Sequence, residues 1–159
     1  MGRRVERISE QIHLAGATKE GFRLDRLDYL VDTNIFLELL LEQEKKEEVR
    51  QFLRTIPSDI LCMSDFSLYS MGIILFKLEK ANLFNAFVED IVIDGVTVLS
   101  LTYDDILGLY NIAKQYNLDF DDSYQYEIVK KFGLQLISFD KDFDKTEKGK
   151  LTPSEVIGL

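Results

Sequence analysis

The sequence predicts an α/β domain with a largely parallel sheet and helices on both faces. Two observations carry this. Four short apolar β-runs alternate with segments of helical period, and no tight hairpin turn joins one run to the next, so each strand returns by a crossover. A third observation concerns the acids. Aspartates stand where elements begin or end, above all in Leu30-Val31-Asp32-Thr33-Asn34 and Leu136-Ile137-Ser138-Phe139-Asp140-Lys141-Asp142-Phe143. Carboxylates so placed reach the carboxyl edge of the sheet, where open α/β folds bind ligands.

Tyr29 to Val31 forms the first strand, followed by a helix rich in Leu37, Leu39, Leu40 and Leu41. A charged helix from about Lys45 to Arg54 puts Val49, Phe52 and Leu53 on one side, and Pro57 breaks it. Ile60 to Met63 is a second, buried strand, and Ser64-Asp65-Phe66-Ser67 offers N-caps for a long helix through about Glu79. Asn82 to about Glu89 also reads as helix, and Asp94-Gly95 marks a turn before the third strand, Val96 to Leu99. Thr102-Tyr103-Asp104-Asp105 opens a helix that carries Ile106, Leu109, Ile112 and Ala113 at helical spacing. Asp121-Asp122 begins another through Phe132, closed by Gly133; Leu134 to Ser138 is the fourth strand, and Thr152-Pro153-Ser154-Glu155 starts a short terminal helix. Residues 1–28 have no sustained apolar period and are interrupted by Gly16 and Gly21; they are expected to form an arm or a short helix with a linker, separate from a domain over residues 29–159.

In a chain of 159 residues, 46% hydrophobic content supports one well-buried core. The single cysteine, Cys62, lies in an apolar run, which predicts a buried free thiol and excludes an intrachain disulfide. A reducing cytoplasm is the expected compartment. No stretch approaches the roughly 18 apolar residues of a membrane span, and Met1-Gly2-Arg3-Arg4-Val5-Glu6 leads into no apolar signal core. The net charge of −9 argues against a broad phosphate-gripping surface. Residues 1–28 hold six bases and five acids, leaving 13 bases and 23 acids for the rest, so the carboxylate surplus sits in the main domain. It serves solubility there, and divalent cations can offset part of it.

Asp32 and Asp140 each have two readings, helix cap or ligand. Together they say more, because two acids at strand ends crowd negative charge at one edge unless a cation or protons compensate it. Asp119, Asp121 and Asp122 lie before or in the first turn of one helix, where capping explains one aspartate readily and three less readily. Asp142 and Asp144 read as turn charges beside Lys141 and Lys145, with Asp142 an accessory ligand candidate. The only histidine, His13, sits in the arm, so neither zinc spacing nor a catalytic triad can be assembled, and no glycine-rich phosphate loop is present. A phosphatase with an aspartyl nucleophile would want a second acid two residues after the first, where Asn34 stands. Oxygen-only ligation remains, which suits Mg²⁺ or Mn²⁺.

Val31-Asp32-Thr33-Asn34, the Asp121-Asp122-Ser123 helix start, Ile137-Ser138-Phe139-Asp140-Lys141-Asp142-Phe143 and Leu151-Thr152-Pro153-Ser154-Glu155-Val156, in that order and spacing, resemble a PIN domain over about Tyr29 to Leu159. The resemblance implies a three-layer α/β/α sandwich and a Mg²⁺- or Mn²⁺-dependent ribonuclease, commonly the toxin of a VapC-type toxin–antitoxin pair, with RNA as substrate, an antitoxin protein as partner and frequent homodimers. It assigns the catalytic, metal-binding acids to Asp32, Asp122 (Asp121 as the off-by-one alternative) and Asp140, supported by Thr33 and Asn34. The family's remaining acid, a glutamate in the helix after the second strand, falls near Ser70, and no glutamate stands there; Asp65 is the nearest acid. Lys141 and Lys145 are substrate-contact candidates by position. The competing expectation is a PIN-like module that binds RNA or protein without cleaving it.

Overall fold

The computed structural model describes Arg7, Ile8 and residues 24–93 and 95–159, excluding the side chain of Asp25. Most of the expected arm, including His13, Gly16 and Gly21, and the Asp94 half of the expected turn lie outside the described residues. Four strands, β1 (Tyr29–Val31), β2 (Leu61–Ser64), β3 (Thr97–Leu99) and β4 (Gln135–Ile137), form one sheet in the order β3-β2-β1-β4, and every pairing is parallel. The order reverses at β1. The chain runs outward through β2 and β3 on one side and places β4 on the other, so a crevice opens between the carboxyl ends of β1 and β4. Leu151 pairs with Ile137 along the outer side of β4, its N–H donating to the Leu136 carbonyl at 2.9 Å.

Two-residue periodicity sorts the strand side chains into two cores. Val31, Leu61, Met63 and Ile137 face one way and pack with helices α1 (Thr33–Leu40), α2 (Lys46–Thr55), α3 (Asp65–Lys77) and α4 (Ala81–Phe87), through Phe36, Phe52, Met71 and Phe87. Leu30, Cys62, Leu136 and Leu99 face the other way, against α6 (Leu109–Tyr116) and α7 (Phe120–Phe132), through Ile112, Tyr126, Ile128 and Val129. The result is three layers, α/β/α. Cys62 is buried and free, its S–H directed at the Tyr29 carbonyl at 3.2 Å, and burial pushes the thiol up to about 12. Among the described residues no helix is long and apolar enough to cross a membrane.

Local chemistry fixes the ends that matter. In α2, Glu47 and Glu48 occupy the first turn and Arg54 the last, complementing the helix dipole, and Ile56, held extended ahead of Pro57, stops it. Ser64 caps α3, accepting from Ser67 N at 2.9 Å. Gly133, at φ 64°, takes the left-handed conformation that ends α7. Thr102 and Glu155 belong to two capping boxes, the first opening α5 (Tyr103–Leu107) and the second α8 (Pro153–Ile157).

Two segments differ from the sequence reading. The helix expected to run on from Thr102 splits at Gly108 into α5 and α6, where a residue without a side chain favours a break. The segment after α4 continues as a π-helical stretch, Val88–Ile93, instead of ending near Glu89. That stretch buries Asp90, whose carboxylate accepts the Ile8 N–H at 2.6 Å, and Ile8 itself is buried in the first core. Part of residues 1–28 is therefore packed on the domain.

Leu30 lies in β1, between β2 and β4, and is fully buried. Leu30→Ala is expected to cost about 2–5 kcal/mol in denaturant unfolding. A loss below about 1 kcal/mol would show that this core layer can collapse around the cavity.

Candidate active site

Asp32 follows β1 directly and caps α1 with extended backbone. It is only 8% exposed, and an unpaired carboxylate there would be costly. Four donors meet it. Oδ1 accepts from Thr33 N at 2.8 Å and Gln125 Nε2 at 3.1 Å; Oδ2 accepts from Ser138 Oγ at 2.7 Å and Asn34 Nδ2 at 3.3 Å. These come from α1, α7 and the turn after β4, so the carboxylate ties three segments together. Burial raises its pKa, the bonds from Ser138, Gln125 and Thr33 oppose that rise, and the nearby Asp140 charge adds to it.

The other acids sort by geometry. Asp119 is the N-cap of α7, accepting from Asp122 N at 2.9 Å, so capping claims that one. Asp121 and Asp122, two and three positions further into the helix, line a cavity of about 250 Å³ together with Asp32, Asp140, Asn34, Ser70 and Gln125. Asp140 caps the 3₁₀ turn Lys141–Lys145 through Asp142 N at 2.8 Å and still lines the cavity. Asp122, Asp140 and Asp142 each offer a carboxylate oxygen, and these lie within 4.8 Å of one another. Asp122 is pushed up to about 7 by burial and by the negative charges of Asp119, Asp140, Asp32 and Asp142; Asp121 is raised by burial and Asp119. Uncompensated negative charge of this kind, with oxygen as the only donor type, fits a hard divalent cation. Asp32 has its roughly four lone-pair directions occupied, so direct ligation by it would require a bond to yield, the 3.3 Å one from Asn34 being the longest.

Other expected contributors lie elsewhere. Asp65 does not line the cavity; its Oδ1 accepts from Phe66 N and from the Tyr124 hydroxyl, both at 2.8 Å, so it is a helix-start residue locked to α7 instead of a replacement for the missing glutamate. Ser70 does line the cavity, at the place where that glutamate is expected. Lys141 is exposed, Lys145 Nζ donates to the Asn117 carbonyl at 2.9 Å, and neither lines the cavity. Three residues given no part in the site from the sequence support Asp32, directly or through one another. Gln125, 3% exposed, bridges Asp32 to Ser67 Oγ at 2.7 Å, and its Oε1 has no hydrogen-bond partner. Ser67 also accepts from Thr33 Oγ1 at 2.9 Å, and Ser138 Oγ accepts from Asp140 N at 3.0 Å. The available signal for Gln125 was a lone amide between Tyr124 and Tyr126, three residues after Asp122 and thus on its helix face.

Two outcomes follow for the cation-free protein. Ser138→Ala removes the shortest bond to Asp32 and is expected to cost about 1–3 kcal/mol in urea unfolding; no loss would mean Asp32 does not depend on it. Asp122 titrates near 3.8 when unfolded and about 7 when folded, so the folded state holds the extra proton between these values, and stability present near pH 4 is lost as pH rises through about 7. Asp122→Asn should therefore raise the melting temperature at pH 8 in EDTA and flatten the decline from pH 4 to 8. A variant melting at or below the parent at pH 8 would show that Asp122 is not crowded by charge.

Solved structures share this architecture. A toxin–antitoxin complex from Klebsiella pneumoniae superposes with TM-score 0.65 at 18% identity, covering 80% of this chain and 99% of that one. VapC20 of Mycobacterium tuberculosis, described as a toxin cleaving the sarcin-ricin loop, gives TM-score 0.68 at 17% identity, covering 79% and 100%. FitAcB from Neisseria gonorrhoeae gives 0.63 at 18%, covering 79% and 97%. At such identities the likeness is one of fold. No curated protein matches the sequence significantly. The PIN domain family matches residues 29–149, most of the chain and every strand that builds the acidic cavity, and the chain belongs to that family.

Proposed function

We propose that the protein is a divalent-cation-dependent endoribonuclease that hydrolyses RNA phosphodiester bonds, and that it acts as the toxin of a toxin–antitoxin pair. The observation that carries this reading is the convergence of Asp122, Asp140 and Asp142 within 4.8 Å, beside the buried Asp32, at the sheet edge of a PIN domain. Asp122 and Asp140 would hold the ion, with Asp142 closing the set from the exposed rim. Asp32, fixed by four donors, supplies charge behind them and is the fourth acid in reach. When bound, Mg²⁺ or Mn²⁺ supplies Lewis acidity, easing deprotonation of water and offsetting charge on a phosphodiester.

The chain's own groups set the conditions for that chemistry. Bare, the acidic wall repels a phosphodiester, so RNA can approach only when its charge is offset. Asn34, Ser138 and Gln125 keep Asp32 in one orientation, which holds the arrangement ready before substrate arrives. An antitoxin or a second copy of the chain would find an apolar surface on α3, where Tyr69, Ile73 and Phe76 recur at helical spacing and are exposed.

A second reading, binding of RNA without turnover, draws on one observation: Ser70 stands in the cavity where an acid is expected, and Asp65 is engaged by Tyr124. Cleavage assays separate the two. Varied RNAs with Mn²⁺ should be cut, EDTA should stop the reaction, and Asp140→Asn should reduce it at least a hundredfold, as about 3 kcal/mol of lost transition-state stabilisation implies. RNA retained but uncut by the parent would favour the binding module. Ser70→Glu should tighten Mn²⁺ binding in calorimetry; unchanged affinity with an intact fold would mean this helix does not supply the family's remaining acid position.

A further inference from the structure

We infer that the cavity rim carries a stacking subsite, formed by Phe66 and Phe120, for an unpaired nucleobase adjoining the phosphodiester under attack. This rests on the ribonuclease reading and names its substrate class, RNA that is single-stranded at the cut. The cavity lining mixes two chemistries: the acids Asp32, Asp121, Asp122 and Asp140, and the apolar Leu37, Phe66 and Ile74. Phe120 is the first residue of α7, directly before Asp121 and Asp122; it is not itself part of the lining, but its ring neighbours that of Phe66, which is.

Phe120 is 53% exposed and lies at the margin of the second core, touching it only through Phe66 and Tyr124, so much of its ring is free. It is nonetheless held in place. Its ring lies 5.8 Å from Phe66 and 6.2 Å from Tyr124, and Phe66 lies 5.6 Å from Tyr124, all in tilted arrangements. Tyr124 is fixed in turn, its hydroxyl donating to Asp65 at 2.8 Å and accepting from Leu101 N at 3.1 Å. The engagement of Asp65 away from the acids thus anchors an aromatic group beside them.

Charge selects the occupant. A lining that holds four carboxylates and no lysine or arginine does not attract phosphate to its apolar part, whereas a nucleobase is neutral and offers a π-face. Aromatic side chains stack bases with little regard to sequence, and only unpaired bases have faces free to do so. A strand whose phosphate sits at the acids therefore has its neighbouring base within reach of Phe66 and Phe120.

The test uses single-stranded oligoribonucleotides with 2-aminopurine moved through successive positions, bound to the full chain with Ca²⁺ in place of Mn²⁺. One position should change fluorescence on saturation. Phe120→Ala should abolish that change and weaken binding roughly tenfold, the size of one base–aromatic stack, while Phe120→Trp preserves both; Phe66→Leu, which keeps apolar volume, should behave like Phe120→Ala. A matched duplex should give no such change. The subsite is overturned if RNA does not bind, if no position responds, or if Phe120→Ala responds like the parent. Because fluorescence does not need cleavage, a response without any Mn²⁺-dependent cutting leaves the subsite standing and removes the nuclease reading, and cutting that Phe120→Ala and Phe66→Leu leave unchanged does the reverse.

Discussion

The structure depends on how a buried carboxylate is kept at the end of the central strand. Asp32 is 8% exposed, and its four hydrogen bonds reach it from Thr33 and Asn34, from Ser138 after β4, and from Gln125 on α7. Each donor is itself bound to another group near the site: Asn34 to Ser138 and to Phe139 N, Gln125 to Ser67, Thr33 to Ser67. The network therefore sets the relative positions of β1, β4, α1, α3 and α7 at one point. It does not extend to Asp122, which burial and the charges of Asp119, Asp140, Asp32 and Asp142 hold above the usual carboxylate range.

That contrast separates two tasks among chemically identical side chains. Asp119 and Asp65 are engaged as helix-start residues, Asp32 is saturated by polar neighbours, and Asp122 is raised to about 7 by burial and then by the surrounding carboxylates. A shift of this kind lowers stability at neutral pH unless positive charge enters, which is the cost that the proposed cation would offset. An aspartate's role here follows from its donors and neighbours, not from its residue type.

Much of this was legible in the sequence, for local reasons. Strands ending in Asp32 and Asp140 could be read because apolar runs and their stops are short-range signals, and the helices between successive strands, in place of hairpin turns, pointed to a parallel sheet. Asp119, Asp121 and Asp122 could be narrowed but not separated, since which of them caps α7 depends on where its first turn closes. Gln125 was not legible because its partner lies 93 residues away, and the Asp65–Tyr124 bond spans 59. Contacts of that separation are decided by packing, which no local pattern encodes. The packing of Ile8 against Asp90, 82 residues on, was hidden for the same reason.

The most direct measurement of the central claim is anomalous diffraction from crystals of the full chain soaked in Mn²⁺. The expected result is a manganese peak between the carboxylates of Asp122, Asp140 and Asp142, with Asp32 beside it still held by Ser138 and Gln125. A fully soaked crystal with that space free of manganese, or with manganese bound only elsewhere, would contradict it.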